Sequence, residues 1–389
     1  MLRGPPAARG AALVTLTLID QPDALGAALT TVAHAPWLAV DTEFLRERTY
    51  YPKLCLLQIG APTADFFVDT LMLSDLERLN QFLTCEHQVK IFHAARQDLE
   101  ALNHAGIGAV WPLFDTQLAA AMVGHPDQVA YAWLVQHYFG VTLDKSQTRT
   151  DWTQRPLSPA QLAYAQDDVK YLGALYQVLR QALEEAGKLD WLWEETAGLA
   201  PAVRGAELPE EAWRRLPGLA AVTTRAAARG RALAGWRERT AQRLDCPRGW
   251  LLKDEALLAI AADAACSRTS LGNIAGMAPS IVRRHGDEII QVLAATEFGE
   301  DSDIVHWRLS TEGTRLLGEL QALVKQRATE TGVSATLIAN RKDLEATILG
   351  DPPSRLLQGW RVALLGSELV ARVAQCPLEQ RRQVATQRR

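Results

Sequence analysis

The chain has 389 residues, 48% of them hydrophobic, and a net charge of −4, so it exceeds one typical domain and can bury more than one core. No apolar run approaches the roughly 18 residues of a membrane-spanning helix, and mild overall acidity argues against indiscriminate attraction to nucleic acid. Five cysteines (Cys55, Cys85, Cys246, Cys266 and Cys376) form no CxxC pair and are odd in number, which points to a reducing cytoplasm instead of a disulfide framework.

Residues 1–12, MLRGPPAARGAA, hold two arginines and no acid and lack a signal-peptide core; they read as a disordered extension. After Pro36, the apolar run Trp37 to Val40 has the composition of a buried strand. Asp41 and Glu43 follow it, two apart, and project to the same side of an extended chain. Like charges at the end of a buried strand raise each other's pKa unless a cation lies between them; alone, the tripeptide equally suits a solvated strand exit. Tyr50 and Tyr51, before Pro52, are either rings that stack on single-stranded bases or a packed turn.

Val89 to Phe92 reads as a second strand that runs into a helix, with Leu99 and Leu102 toward the core and Asp98 toward the sheet edge. By itself Asp98 is an ordinary first-turn acid. His93 reads as a packed or hydrogen-bonded histidine, because no second His or Cys stands at a metal-binding spacing. From Ser158 to Glu185 a long helical pattern opens on a Ser-Pro cap and carries a leucine stripe. Tyr164 and Asp168, four apart, share one of its faces. Periodicity leaves Asp167 and Asp168 equally placed.

Four acids, Asp41, Glu43, Asp98 and Asp168, and one tyrosine, Tyr164, therefore stand in three separated stretches. Carboxylate oxygens hold hard divalent cations, and two such ions about 4 Å apart can activate a water and stabilise a leaving oxygen in phosphodiester cleavage. The pattern reads as a two-metal nuclease.

DTEFLRERTYYPKLCLLQIG, FHAARQDLEAL, FDTQLAAAM, GVTLDKSQTRTDW and YAQDDVKYL, in this order, resemble the ribonuclease D family of the DEDD exonucleases over residues 36 to 190. The resemblance is to its tyrosine branch, since Ala163 stands where the sister branch has histidine. It implies an α/β ribonuclease-H-like domain with a mixed sheet and two Mg²⁺ or Mn²⁺ ions. Asp41, Glu43 and Asp168 would hold the ion that binds the attacking water, Asp41 would bridge to the other, and Asp98 would support that second ion. It also selects Asp168 over Asp167, makes Tyr164 the group that orients the water, and sets Lys145 and Arg149 beside substrate phosphates.

Residues 1–200 hold 14 Lys or Arg against 23 Asp or Glu, and residues 201–389 hold 27 against 22. The basic half could attract phosphates that the acidic half repels, and Arg225, Arg229, Arg231, Arg237, Arg239 and Arg243 are either a phosphate track or a solvated helix face. Residues 196–208 read as a linker. Residues 209–295 resemble the helicase-and-RNase-D C-terminal (HRDC) domain on Trp236-Arg237, PRGWLLKDEAL, LGNIAGM and HGDEIIQVL. Residues 300–378 are a second, more divergent HRDC-like domain by the same resemblance, and 379–389 a flexible tail.

The expected architecture is thus one 3′–5′ exonuclease domain (13–195) followed by two all-α domains. The expected function is hydrolysis of RNA from a single-stranded 3′ end to nucleoside 5′-monophosphates, acting on tRNA precursors and other small structured RNAs as a cytoplasmic monomer. No GxxxxGK[ST] phosphate loop occurs, so no nucleotide cofactor is expected. A DNA exonuclease, or a silent nucleic-acid-binding scaffold, is the alternative.

Overall fold

In the computed structural model, the described residues are 17–73, 75–144, 147, 150–199, 208–219, 222, 224–263, 267–296, 307–350 and 355–384. The expected extension at 1–12, the loop residues Lys145 and Arg149, most of the linker and residues 385–389 lie outside them.

The first unit is a six-stranded mixed sheet with helices on both faces. Its elements are β1 (Thr17–Ile19), α1 (Pro22–Val32), β2 (Trp37–Leu45), β3 (Lys53–Gly60), β4 (Asp65–Val68), α2 (Glu77–Leu83), β5 (Val89–Phe92), α3 (Arg96–His104), β6 (Leu113–Asp115), α4 (Thr116–Met122), α5 (Tyr131–Phe139), α6 (Pro159–Lys170), α7 (Leu172–Glu185) and α8 (Leu189–Ala197). The strand order is β1-β4-β3-β2-β5-β6. β2 pairs antiparallel with β3 and parallel with β5, which pairs parallel with β6.

β2 is buried on both faces. Leu38 and Val40 enter one core with Leu25, Leu99 and Leu102, while Ala39 enters the other with Val169, Leu172 and Leu175. Its pairing with β5 stops at Ala39 and its pairing with β3 continues to Leu45. The far half of β2, which carries Asp41 and Glu43, is therefore left open on the β5 side. The turn into α3 fills that side.

The helical pattern from Ser158 to Glu185 is not one helix. Ser158 caps α6 with a reciprocal Ser158–Gln161 box, but the helix breaks at Tyr171 and resumes as α7. α7 is set close to β2 through Gly173, where a Cβ would fall inside the indole of Trp37.

A second unit comprises a 3₁₀ turn (Pro209–Arg215), α9 (Thr224–Leu244), α10 (Arg248–Leu251), α11 (Asp254–Ala262), α12 (Arg268–Gly272) and α13 (Pro279–Ala294). It has its own core around Leu233, Trp236, Leu257, Ile260 and Ile289. A third contains β7 (Trp307–Leu309), α14 (Thr311–Thr331), α15 (Ala335–Ile338), α16 (Arg341–Leu349), α17 (Gly359–Arg361), α18 (Ser367–Ala374), α19 (Leu378–Arg381) and β8 (Arg382–Val384). The tail expected from 379 onward instead supplies α19 and β8. β8 pairs antiparallel with β7 because backbone donors at the domain's two ends need partners.

The third unit docks on α8. Trp191 stacks on Trp360, with centroids 5.0 Å apart and planes 11° from parallel. Glu194 accepts from the Trp360 amide at 3.0 Å, Glu195 accepts from Trp360 Nε1 at 2.9 Å and pairs with the buried Arg361. Gly359, at φ +56°, lies where any Cβ would meet the Glu194 carboxylate.

Gly173→Ala drives its methyl into the Trp37 ring, and overpacking of this kind costs about 1–3 kcal/mol. The expected result is a lowered thermal midpoint, with activity loss larger than the stability loss explains, since α7 follows directly on Asp168. A wild-type midpoint would show that Trp37 yields freely.

Candidate metal centre

Asp41, Glu43 and Asp168 converge: one carboxylate oxygen from each lies within 4.8 Å of the others. Two come from the open half of β2, and the third comes from the last full turn of α6. The neighbouring Asp167 turns away, 36% exposed and 3.8 Å from Lys170 Nζ. The ambiguity that periodicity leaves is thus absent from the structure.

Asp98 lies outside that group of three but close enough to act on Asp41, buried at the start of α3, where it accepts from Thr42 Oγ1 at 2.5 Å. Its delivery depends on a residue that local sequence does not flag. Asp115 caps α4 through Gln117 N (2.8 Å) and Leu118 N (3.3 Å), and the same carboxylate accepts from Ala94 N (3.1 Å) and Ala95 N (2.9 Å). One acid therefore pins the turn that leads into α3, including Ala94 at φ +59°. His93 is hydrogen-bonded as expected, through Nδ1 to Thr116 Oγ1 (2.9 Å) and Nε2 to the Val129 carbonyl (3.0 Å).

Tyr164 donates to the Asp168 carboxylate and packs near Trp152, 6.2 Å between ring centroids. The loop carrying Trp152 is anchored by Arg155, which grips the buried Asp69 through Nε (2.5 Å) and Nη2 (2.7 Å) and donates to the Cys55 carbonyl at 2.9 Å. Sequence reading missed Arg155 as well.

Electrostatics describes the same centre. Burial, and then Asp98, Asp168 and Glu43 in that order, push the Asp41 carboxyl well above the usual range. Burial, Asp168 and Asp98 push Glu43 up to about 9. Asp98 rises to about 7 through burial, offset by its Thr42 bond. Asp168 rises to about 7 through burial and Asp167, offset by Tyr164. Oxygen-only donors this close, each disfavouring its own charge, suit a hard divalent cation.

The tyrosines after β2 are a different matter. Tyr50 is 7% exposed, its hydroxyl donates to the buried Glu238 of α9, and Asp245 accepts from both the Tyr50 and Tyr51 amides at 3.0 and 3.1 Å. The Tyr51 ring packs on Tyr50 and on His104. The expectation that these rings stack on bases is corrected: they join the first unit to the second. On α9, Arg237 is buried against Asp254 and the Leu252 carbonyl, Arg231 covers the Trp213 ring at 3.9 Å, and Arg229 donates to the Asp263 carbonyl. Arg225, Arg239 and Arg243 are the exposed members of that set.

This is the fold and acid constellation of a nuclease that works on chain ends. The model of the 3′–5′ exonuclease domain matches residues 16–184, and that of the HRDC domain matches 226–293. Ribonuclease D of Acidiphilium cryptum is 37% identical over 360 residues, spanning 90% of this chain and 91% of that protein. The Gluconacetobacter diazotrophicus ribonuclease D is 38% identical over 91% and 92%. The crystal structure of Escherichia coli RNase D, described as an exoribonuclease involved in structured RNA processing, superposes with a TM-score of 0.86 at 29% identity, over 93% of this chain and all of that one. The chain belongs to the ribonuclease D family and is a 3′–5′ exoribonuclease. The DNA-directed and silent-scaffold alternatives fall away with that assignment.

The raised carboxyl values fix a sign. Glu43, Asp98 and Asp168 bind protons more tightly folded than unfolded, so their contribution to stability is greatest at low pH and is lost as pH rises through about 7 and then about 9. In excess chelator the thermal midpoint should fall across that window, and saturating Mg²⁺ or Mn²⁺ should remove most of the fall. A chelated protein whose midpoint does not drop over that window would contradict the mutual repulsion.

Proposed function

We propose that Asp41, Glu43 and Asp168 hold a pair of divalent ions, magnesium or manganese, with Asp41 shared and Asp98 supporting the second. The observation that carries this reading is the approach of three carboxylate oxygens, from half-buried residues of β2 and α6, within 4.8 Å of one another. Ions bound there would supply the charge that makes a water nucleophilic at neutral pH and stabilises the departing oxygen. The protein's own part is geometric. Thr42 keeps Asp98 aimed inward, and Tyr164, hydrogen-bonded to Asp168, holds its hydroxyl where an attacking water can be oriented. A phenol with its ordinary pKa near 10 is a poor base at neutral pH, so Tyr164 acts by positioning.

The substrates on this reading are tRNA precursors and other small structured RNAs with single-stranded 3′ tails, released as nucleoside 5′-monophosphates in the cytoplasm by a monomeric enzyme. The involvement of the Escherichia coli relative in structured RNA processing supports it. Residues 300–378 act, on the resemblance alone, as a second, more divergent HRDC-like domain. Lys145 and Arg149 keep their assignment to substrate phosphates on the motif alone.

Chelation should abolish hydrolysis of a 3′-tailed RNA. Asp41→Asn and Asp168→Asn should be inactive yet folded, and Asp167→Asn should stay close to wild type. Tyr164→Phe should retain metal binding and slow turnover by roughly 10². An inactive Asp167→Asn beside an active Asp168→Asn would invert the assignment.

Arg239 and Arg243, two of the exposed arginines of α9, the second 3.9 Å from Glu288, are cations this surface would offer to structured RNA. Replacing both with Gln should lower affinity for a tRNA-like precursor and flatten the log affinity against log salt slope by about two units, close to one per lost phosphate contact. An unchanged slope would leave α9 a purely structural or partner-binding helix.

A further inference from the structure

The break between α6 and α7 is made by a side chain from another element. In an unbroken α-helix the Tyr171 N–H would donate to the Asp167 carbonyl, four residues earlier. Here the Tyr131 hydroxyl, at the first position of α5, stands between those two groups. It donates to the Asp167 carbonyl at 2.9 Å and accepts from the Tyr171 N–H at 3.1 Å. Insertion of a side chain into the i to i−4 ladder is one of the few identifiable causes of a sharp helix kink. Because the hydroxyl serves both freed groups, the break leaves neither without a partner.

The wedge sits at a telling place. Asp168 lies inside the opened turn, between Asp167 and Tyr171, and Tyr164 is one turn earlier on the same face. The Tyr131 ring is held 5.7 Å from the His93 ring, and His93 is itself fixed by Thr116 and the Val129 carbonyl. His93 begins the turn that delivers Asp98. One aromatic pair thus ties the second acidic stretch to the third. Burial first, then the nearby Asp168 and Asp41, keep the Tyr131 phenol protonated, so it remains a donor.

We infer that Tyr131 is a positioning residue: its hydroxyl opens the helix after Asp168 and so sets the direction in which the Asp168 carboxylate meets the bound cation. The inference rests on the reading of Asp168 as a metal ligand. Tyr131 itself touches no reacting atom.

Tyr131→Phe is the discriminating variant, because it keeps the ring against His93 and lets Tyr171 N–H bond directly to the Asp167 carbonyl. A wedge role predicts a metal-free thermal midpoint at or above wild type. Alongside it, kcat should fall and half-saturating Mn²⁺ should rise, each by about 10-fold or more, as for other groups that orient a metal ligand. KM for a short single-stranded RNA should change little. Mn²⁺ affinity, titrated through the electron paramagnetic resonance signal of the free ion, reads the same effect without turnover. A folded Tyr131→Phe with wild-type kcat and Mn²⁺ affinity would overturn the inference, as would a lowered midpoint with both of these unchanged. Asp168→Asn, run in parallel, separates the two levels. If it is active, the metal-ligand reading fails; if it is inactive while Tyr131→Phe is fully active, only the wedge is rejected.

Discussion

Burial of four carboxylates in one place, aggravated by charge repulsion at Asp41 and Glu43, is the constraint around which the first unit is arranged. Asp41, Glu43, Asp98 and Asp168 are each driven toward protonation by burial and, for the first two, by one another, so the chain must hold them together against a force that would separate them. It does so with contacts remote from the acids themselves. Asp115 pins the entry to α3 by accepting from the Ala94 and Ala95 amides while it caps α4 through Gln117 and Leu118, Tyr131 fixes the exit from α6, and Trp37 packs against α7 where Gly173 leaves room. A centre strained in this way is poised for cations, because each bound ion converts repulsion into attraction.

Charge is distributed for the same task. The first unit carries the acids that would hold ions and would repel an RNA backbone without them; the basic excess lies in the helical half. Much of that excess is not free to meet phosphate. Arg237 and Arg361 are buried against Asp254 and Glu195, and Arg215 and Arg248 both turn toward Glu238. Glu238 also receives the Tyr50 hydroxyl, so the strand that bears Asp41 continues into a loop whose position is set by the HRDC helix α9.

What could be read from the sequence was local. The apolar run before Asp41, the two-residue spacing to Glu43 and the Ser158 cap are patterns within one element, and the structure contains them. The features that escaped are made by distant partners. The α6–α7 break comes from Tyr131, 40 residues before Tyr171, so the leucine stripe through Leu172 and Leu175 reads as unbroken. Tyr50 looks like a surface ring until Glu238, 188 residues away, buries it. The chain end looks loose until β8 finds β7. Asp167 and Asp168 are equivalent in any helical wheel; the resemblance separates them, and in the structure Asp167 lies beside Lys170 while Asp168 joins Asp41 and Glu43.

The apolar core under α7 does not end at the first unit. Leu172, Leu175 and Leu179 share it with Leu320, Leu344, Leu356 and Leu365 from the third, whereas the HRDC unit between them closes a core of its own. During synthesis a chain emerges from its N-terminus and folds unit by unit. Every residue of the acidic centre is therefore made before Leu320 to Leu365, the residues that complete the core its supporting helix shares. Until the third unit has been made, the face of α8 that carries Trp191 is uncovered. A nascent or prematurely terminated chain would thus hold a complete set of acids on an incompletely buried scaffold, and full structural support for catalysis arrives only once the third unit has folded.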